Sequence, residues 1–186
     1  MKSRIFTFRI ILFLLFIIAN SCNRYLDVVK NKSDVPVKQG SFEFYSDSNL
    51  LIYKSNVILT RDTEKIYPKS FTVRLPKKLR YYEFVGSSDF ALYYDGGQVI
   101  FIKVDLENKE PTKDTVCTPS PNQLNEFIQS NLSTGNGKYD IKKISFYTGR
   151  KNTIIKKGGA TILLYNIYPK DYDQFFDDVN KFRVIN

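Results

Sequence analysis

The amino-acid sequence predicts an α+β domain, mainly antiparallel sheet with two amphipathic helices. Three observations point there: glycine pairs set between β-rich runs, two segments with helix-capping chemistry and helical spacing, and a high aromatic content. The chain carries 15 Phe and 13 Tyr but no Trp, and such rings fill pleated, half-buried surfaces. Its 186 residues, 42% apolar and 25% charged, suit one globular domain.

Taken in order, "SFEFYS" alternates with Phe42 and Phe44 on one face, and "YKSNVILT" ends in an apolar run, so both are strand candidates. In "SFTVRLP", Phe71, Val73 and Leu75 point one way while Thr72 and Arg74 point the other, the period of two of a half-buried strand. "DFALYYDGGQVIFIKV" places Gly96 and Gly97 between two β-rich runs, and glycine tolerates the positive φ that a tight hairpin turn requires. Its second run is apolar on both faces, with Ile100, Ile102 and Val104 opposed by Val99 and Phe101. A central strand covered on both sides follows. "TIIKKGGA" predicts another hairpin through Gly158 and Gly159, leading into "ATILLYNIY", where Leu163, Tyr165 and Ile167 oppose Ile162 and Leu164.

Two helices are available as covering layers. In "SPNQLNEFIQSNL", Ser120 and Gln123 form a capping box, Pro121 fits the first helical position, and Leu124, Phe127 and Ile128 share a face. In "DYDQFFDDVNKF", Asp171 is the expected cap with Gln174 three residues on. Tyr172, Phe175, Phe176, Val179 and Phe182 make the apolar stripe. Between the helices lie the loop "STGNGK" and a predicted strand, "YDIKKISFY". This order of elements resembles the PsbP-like or Mog-type α-β-α sandwich, whose opening "fs.P" strand and closing helix with a following apolar strand look like "FTVRLP" and "FFDDVNKFRVI". The resemblance covers Phe71 to Ile185. It implies accessory and binding roles and transfers no catalytic residue.

The amino end decides where the domain works. Lys2, Arg4 and Arg9 precede an unbroken apolar run from Ile10 to Ala19. As a helix that run is about 15 Å long, against about 30 Å of hydrocarbon in a bilayer. The pattern is an export signal, with the small residues Ala19 and Ser21 ahead of a cut. "FIIANSC" resembles the lipobox of bacterial lipoproteins, with Ala19 where Leu is common and Asn20 where a small residue is usual. The resemblance implies lipid on Cys22 and, with Asn23 following, sorting to the outer membrane. An ordinary signal peptidase would cut at the same bond and leave a soluble secreted protein. Residues 1–21 thus read as signal, 22–40 as a polar tether, and 41–186 as one α+β domain.

The chain contains no His, which removes the commonest general base, the Ser-His and Cys-His dyads and, with one free Cys left beside Cys22, the usual structural zinc sites. A Ser-Lys pair or two carboxylates survive as catalytic options. Glu43, Glu64, Glu83, Glu107, Glu110 and Glu126 are available, none in a recognisable signature. Asp171, Asp173, Asp177 and Asp178 read as a solvated helix face rather than a calcium site, since Asp173 and Asp177 fall opposite Phe175 and Phe176. No metal or cofactor is expected. With Cys22 lipidated, Cys117 has no disulfide partner and is expected to be buried or inert.

Removing the three leader cations from the net +9 leaves +6 from Cys22 onward, spread as Lys and Arg pairs. This suits a soluble surface or attraction to an anionic membrane, and no nucleic acid is expected. The doublets Tyr81–Tyr82 and Tyr93–Tyr94 lie near Lys77, Lys78 and Arg80. Strand neighbours face opposite ways, so one of each doublet can pack while the other joins a basic, aromatic binding surface. Full burial under the helices is the competing reading. The expectation is a lipid-anchored envelope module, non-catalytic, serving another envelope protein. A glycan- or lipid-binding module and a hydrolase without His are the rivals.

Overall fold

The computed structural model describes residues 37–39, 42–45, 49–54, 59–61, 64–66, 69–85, 89–105, 113–130 and 139–185. The leader, Cys22, most of the tether, the "STGNGK" loop, Glu107 and Glu110 lie outside them. The strands are β1 (Val37–Gln39), β2 (Phe42–Tyr45), β3 (Leu50–Tyr53), β4 (Leu59–Arg61), β5 (Glu64–Ile66), β6 (Ser70–Arg74), β7 (Tyr81–Val85), β8 (Asp89–Tyr93), β9 (Val99–Val104), β10 (Thr115–Cys117), β11 (Lys151–Lys157), β12 (Ala160–Ile167) and β13 (Arg183–Ile185). The helices are α1 (Pro121–Ser130) and α2 (Tyr172–Val179). The class is α+β and mainly antiparallel sheet. Pairing begins at Val37, inside the stretch read as tether.

A six-stranded sheet of order β10-β11-β12-β9-β8-β7 forms the middle layer. Both predicted hairpins are present, with Gly96, Gly97, Gly158 and Gly159 all at positive φ. The central strands β9 and β12 pair from Ala160 with Val104 to Tyr165 with Val99, and both are apolar on two sides. On one side Leu92, Ile100, Ile102, Ile162 and Leu164 enter the main core. On the other, Phe101, Leu163 and Tyr165 pack with Leu124 and Ile128 of α1.

The covering layers differ from the expected pair of helices. Helix α1 covers one face as predicted, but the opposite face is met chiefly by a second sheet of order β1-β2-β3-β6-β13, with α2 beside it. Here Leu51, Tyr53, Phe71 and Val73 face Phe90 and its neighbours. Tyr53 and Phe71 stand edge-on to the Phe90 ring at 4.9 and 5.0 Å, and Phe182 lies 5.2 Å from Phe71. The "FTVRLP" and "FRVI" segments meet in this sheet, Phe71 opposite Val184. A separate ribbon joins β4 and β5.

Local chemistry accounts for the helices. The capping box of α1 forms in both directions: the Gln123 amide donates to Ser120 Oγ at 3.3 Å, and the Ser120 amide to Gln123 Oε1 at 2.9 Å. Asp171, by contrast, makes no side-chain cap and has helical φ/ψ. The amides of Asp171 and Tyr172 reach the Tyr168 and Pro169 carbonyls, so α2 grows out of a preceding turn that already serves its first donors.

Three further expectations are corrected. "YDIKKISFY" is not a strand. Asp140 accepts from the Lys142 amide at 3.0 Å and closes a 3-10 turn over Ile141–Lys143, which brings Ile141 and Ile144 together beneath α1. Ile167 joins the main core rather than the face of Leu163 and Tyr165. Asn166, at φ 59, sits in a bulge where β12 gains one residue against β11, and the extra residue reverses the alternation. Of the two alternatives for Cys117, burial is overturned: it is exposed, on the edge strand β10.

Phe71→Ala should cost about 3–5 kcal/mol in urea unfolding, because it empties the junction of the two sheets. Ser120→Ala, removing half of an exposed cap, should cost about 1 kcal/mol in the same assay.

Candidate functional site

The end of the six-stranded sheet where β8 turns into β9 gathers most of the predicted site. The turn is a short 3-10 segment, Asp95–Gly97. Gly96 lies so close to the Tyr168 ring that a Cβ there has no room, so glycine is required on grounds of space as well as φ. Gln98 fastens the turn to the segment after β12, donating to the Asp95 carbonyl at 3.2 Å and accepting from the Tyr168 amide at 2.9 Å.

The Asn166 bulge completes the junction. Its Nδ2 donates to the Gly97 carbonyl at 3.1 Å, and its backbone amide donates to Asn152 Oδ1 at 2.7 Å. Its carbonyl accepts from Arg150 at 3.0 Å. The Arg150 guanidinium also lies over the Tyr168 ring, 3.1 Å from its centre, and 5.5 Å from that of Tyr147. Lys170 is 5.4 Å from the Tyr168 ring. Cations therefore alternate with aromatic faces along this end, each attracted to the ring quadrupole.

Three clefts open around the junction. One of about 510 Å³ is lined by Arg80, Tyr93, Tyr94, Asp95, Lys143 and Tyr147 among others. One of about 370 Å³, across the Asp95–Gly97 turn, has Lys77, Lys78, Lys170 and Asp171 at its walls, with Tyr94 and Asp95 shared. A third, of about 450 Å³, lies between the start of α1 and Phe146, Arg150, Lys151 and Tyr172.

The predicted residues divide as follows. Lys77, Lys78, Arg80, Tyr93 and Tyr94 line the first two clefts, although both Tyr93 and Tyr94 are buried. Tyr81 and Tyr82 are half-buried and line neither: Tyr81 stacks on Tyr139 at 4.9 Å, and Tyr82 packs against the main core. Arg80 holds Asp95 with two bonds of 2.7 and 2.9 Å. Sequence reasoning missed Lys143, Phe146, Tyr147, Arg150, Lys151, Tyr168 and Lys170. A signal for them was present, since the thirty residues from Ile141 to Lys170 contain seven Lys and Arg and no acid.

Among the described residues the carboxylates serve separate contacts. Glu43 is bound by Lys54 at 3.1 Å in the second sheet, and Glu83 accepts from the Tyr93 hydroxyl at 3.3 Å in the first. Glu126 is exposed on α1, as are Asp173 and Asp177 on α2, where helical spacing puts them. Asp95 and Asp171 share a cleft, but Arg80 occupies both oxygens of Asp95. Among the described residues no three His, Cys, Asp or Glu gather as a metal site, and no helix is long and apolar enough to cross a membrane. Comparison with protein families, curated proteins and solved structures finds no match for this chain.

Burial sets the chemistry of the tyrosines. Desolvation pushes the Tyr94 hydroxyl well above its ordinary range, with Asp178 adding to the shift. Tyr82 and Tyr165 are raised more modestly, by burial first. The Tyr94 hydroxyl has no hydrogen-bond partner among the described residues. A raised folded-state value means that the neutral form stabilises the fold fully below the unfolded value of about 10. That contribution is lost as pH climbs through the folded value. Tyr94→Phe should therefore be neutral or stabilising by about 1 kcal/mol at pH 7, since it removes an unsatisfied buried group. It should also flatten the alkaline fall in stability, as read from denaturation midpoints between neutral and strongly alkaline pH.

Proposed function

We propose that this chain is exported, takes lipid on Cys22, and acts at the bacterial cell envelope, on the outer membrane, as a non-catalytic binding module for another envelope protein. The leader supports export, being basic at its start, too short to span and followed by Asn20, Ser21 and Cys22. The observation that carries the binding role is the cleft across the Asp95–Gly97 turn. Lys77, Lys78 and Lys170 stand around it on a junction fastened by Gln98.

Such a site favours an acidic segment of a partner. Ammonium groups at the rim attract and orient carboxylates, raising the association rate and setting specificity. The floor beneath them is Tyr94 and Phe175, both already buried in the core, so the rim cations carry the attraction. Catalysis is disfavoured because the chain has no His and the buried Glu43 and Glu83 serve bonds in different sheets.

Two measurements test the proposal. The intact mass of the mature protein should correspond to a chain starting at Cys22 and carrying acyl groups; an uncut leader or an unmodified cysteine would remove the anchor from the account. A photo-cross-linker in place of Lys77, used in the native envelope, should capture an acidic protein. Lys78→Glu with Lys170→Glu should cut the yield about tenfold or more, on the order of 1–2 kcal/mol of lost attraction. Equal yields from both forms would defeat the cleft as the binding surface.

A further inference from the structure

Phe146 and Tyr147 stand side by side on the loop between the 3-10 turn and β11, with 58% and 50% of their surface in solvent. With Val116 they make up the large apolar side chains exposed among the described residues. They form a ridge between clefts, Tyr147 on the wall of the 510 Å³ cleft and Phe146 on that of the 450 Å³ cleft. The loop is fastened from behind: the Tyr165 hydroxyl donates to the Ile144 carbonyl at 3.1 Å, and the Arg150 amide donates to that of Tyr147 at 3.3 Å. The rings are thus held outward on a fixed base.

Their flanks carry an excess of cations. Lys142, Lys143, Arg150 and Lys151 bracket the ridge, and the nearest acids are already engaged, Asp140 by Lys143 at 3.4 Å and Asp95 by Arg80. We infer that this ridge is a membrane-contact element, which sets Phe146 and Tyr147 into the headgroup layer of an anionic phospholipid surface while Lys142, Lys143 and Lys151 meet its phosphates. Aromatic side chains settle at the bilayer interface, and each cation near an anionic leaflet adds attraction. An exposed aromatic pair flanked by an excess of cations, with its nearest acids already paired, matches that layer better than it matches a protein groove, where a ridge needs a shaped counterpart. The inference goes beyond the partner cleft and does not depend on Cys22. A lipid anchor brings the domain to a membrane, whereas the ridge determines which side of it faces the lipid.

The chain has no Trp, so Phe146→Trp supplies a single reporter. The full-length protein would be mixed with, or reconstituted into, vesicles of phosphatidylcholine alone or with phosphatidylglycerol. With the anionic lipid, emission should shift to the blue and be quenched by brominated acyl chains, and salt should weaken both effects. Lys156→Trp, exposed beside the Gly158–Gly159 turn at the far end of the sheet, should keep water-like emission. Adding Lys142→Gln, Lys143→Gln and Lys151→Gln should lower the quenched fraction of the Phe146→Trp form roughly tenfold or more. Water-like emission in both vesicle types, or equal quenching at Lys156→Trp, overturns the inference. A blue shift caused by envelope protein without vesicles overturns it too, and assigns the ridge to a protein partner. Flotation of the vesicles reads anchorage separately, so loss of the lipid on Cys22 and loss of ridge contact give different results.

Discussion

Two-sided burial of the β9–β12 pair is the constraint on which the rest of the architecture depends. A strand with Ile100 and Ile102 on one face and Val99 and Phe101 on the other cannot present either face to water. The chain must therefore furnish two covers. It meets one with α1 and the Ile141–Ile144 turn, and the other with a whole second sheet joined through the Tyr53, Phe71, Phe90 and Phe182 rings. At one end of the six-stranded sheet the β8–β9 turn, the loop before β11 and the segment after β12 come together. The clefts open at that end.

Much of this was legible because the informative signals were local. Glycine pairs fixed both hairpins, a four-residue motif fixed the start of α1, and runs apolar on both faces identified the doubly buried strands. The failures arose where tertiary packing outweighed a local signal. Asp171 had the residue type of a cap, yet the Tyr168–Lys170 turn had already supplied acceptors to the first amides of α2. Ile167 followed the parity of its strand on paper, but one inserted residue at Asn166 turned it over. The segment from Tyr139 to Tyr147 looked like a strand, although isoleucines three apart suited a tight helical turn instead. The second sheet as a cover was not inferable from any one segment, since its strands come from both halves of the chain.

The site was half legible for a related reason. Lys77, Lys78 and Arg80 stood out because they adjoin tyrosine doublets in sequence, but Tyr93 and Tyr94 serve as floor rather than surface. The surface aromatics came from Phe146, Tyr147 and Tyr168, distant in sequence and brought alongside by the bulge and by Arg150. Charge statistics held the missing clue, in a long acid-free run, but clustering in sequence does not say which cations share one end of a sheet. The bulge decides that, by bending β12 so that Tyr168 faces the Gly96 turn.

The pairing of β13 with β6 bears on the timing of folding. Phe71 lies against Val184, about 110 residues further along the chain, and such distant contacts form slowly because a large loop must close first. The second sheet can acquire its last strand only after the carboxyl end has been delivered. Until then Phe71 and its neighbours lack their final cover, and the unfinished chain stays pliable. That order of events leaves the local β8–β9 and β11–β12 hairpins to form ahead of the second sheet's last edge.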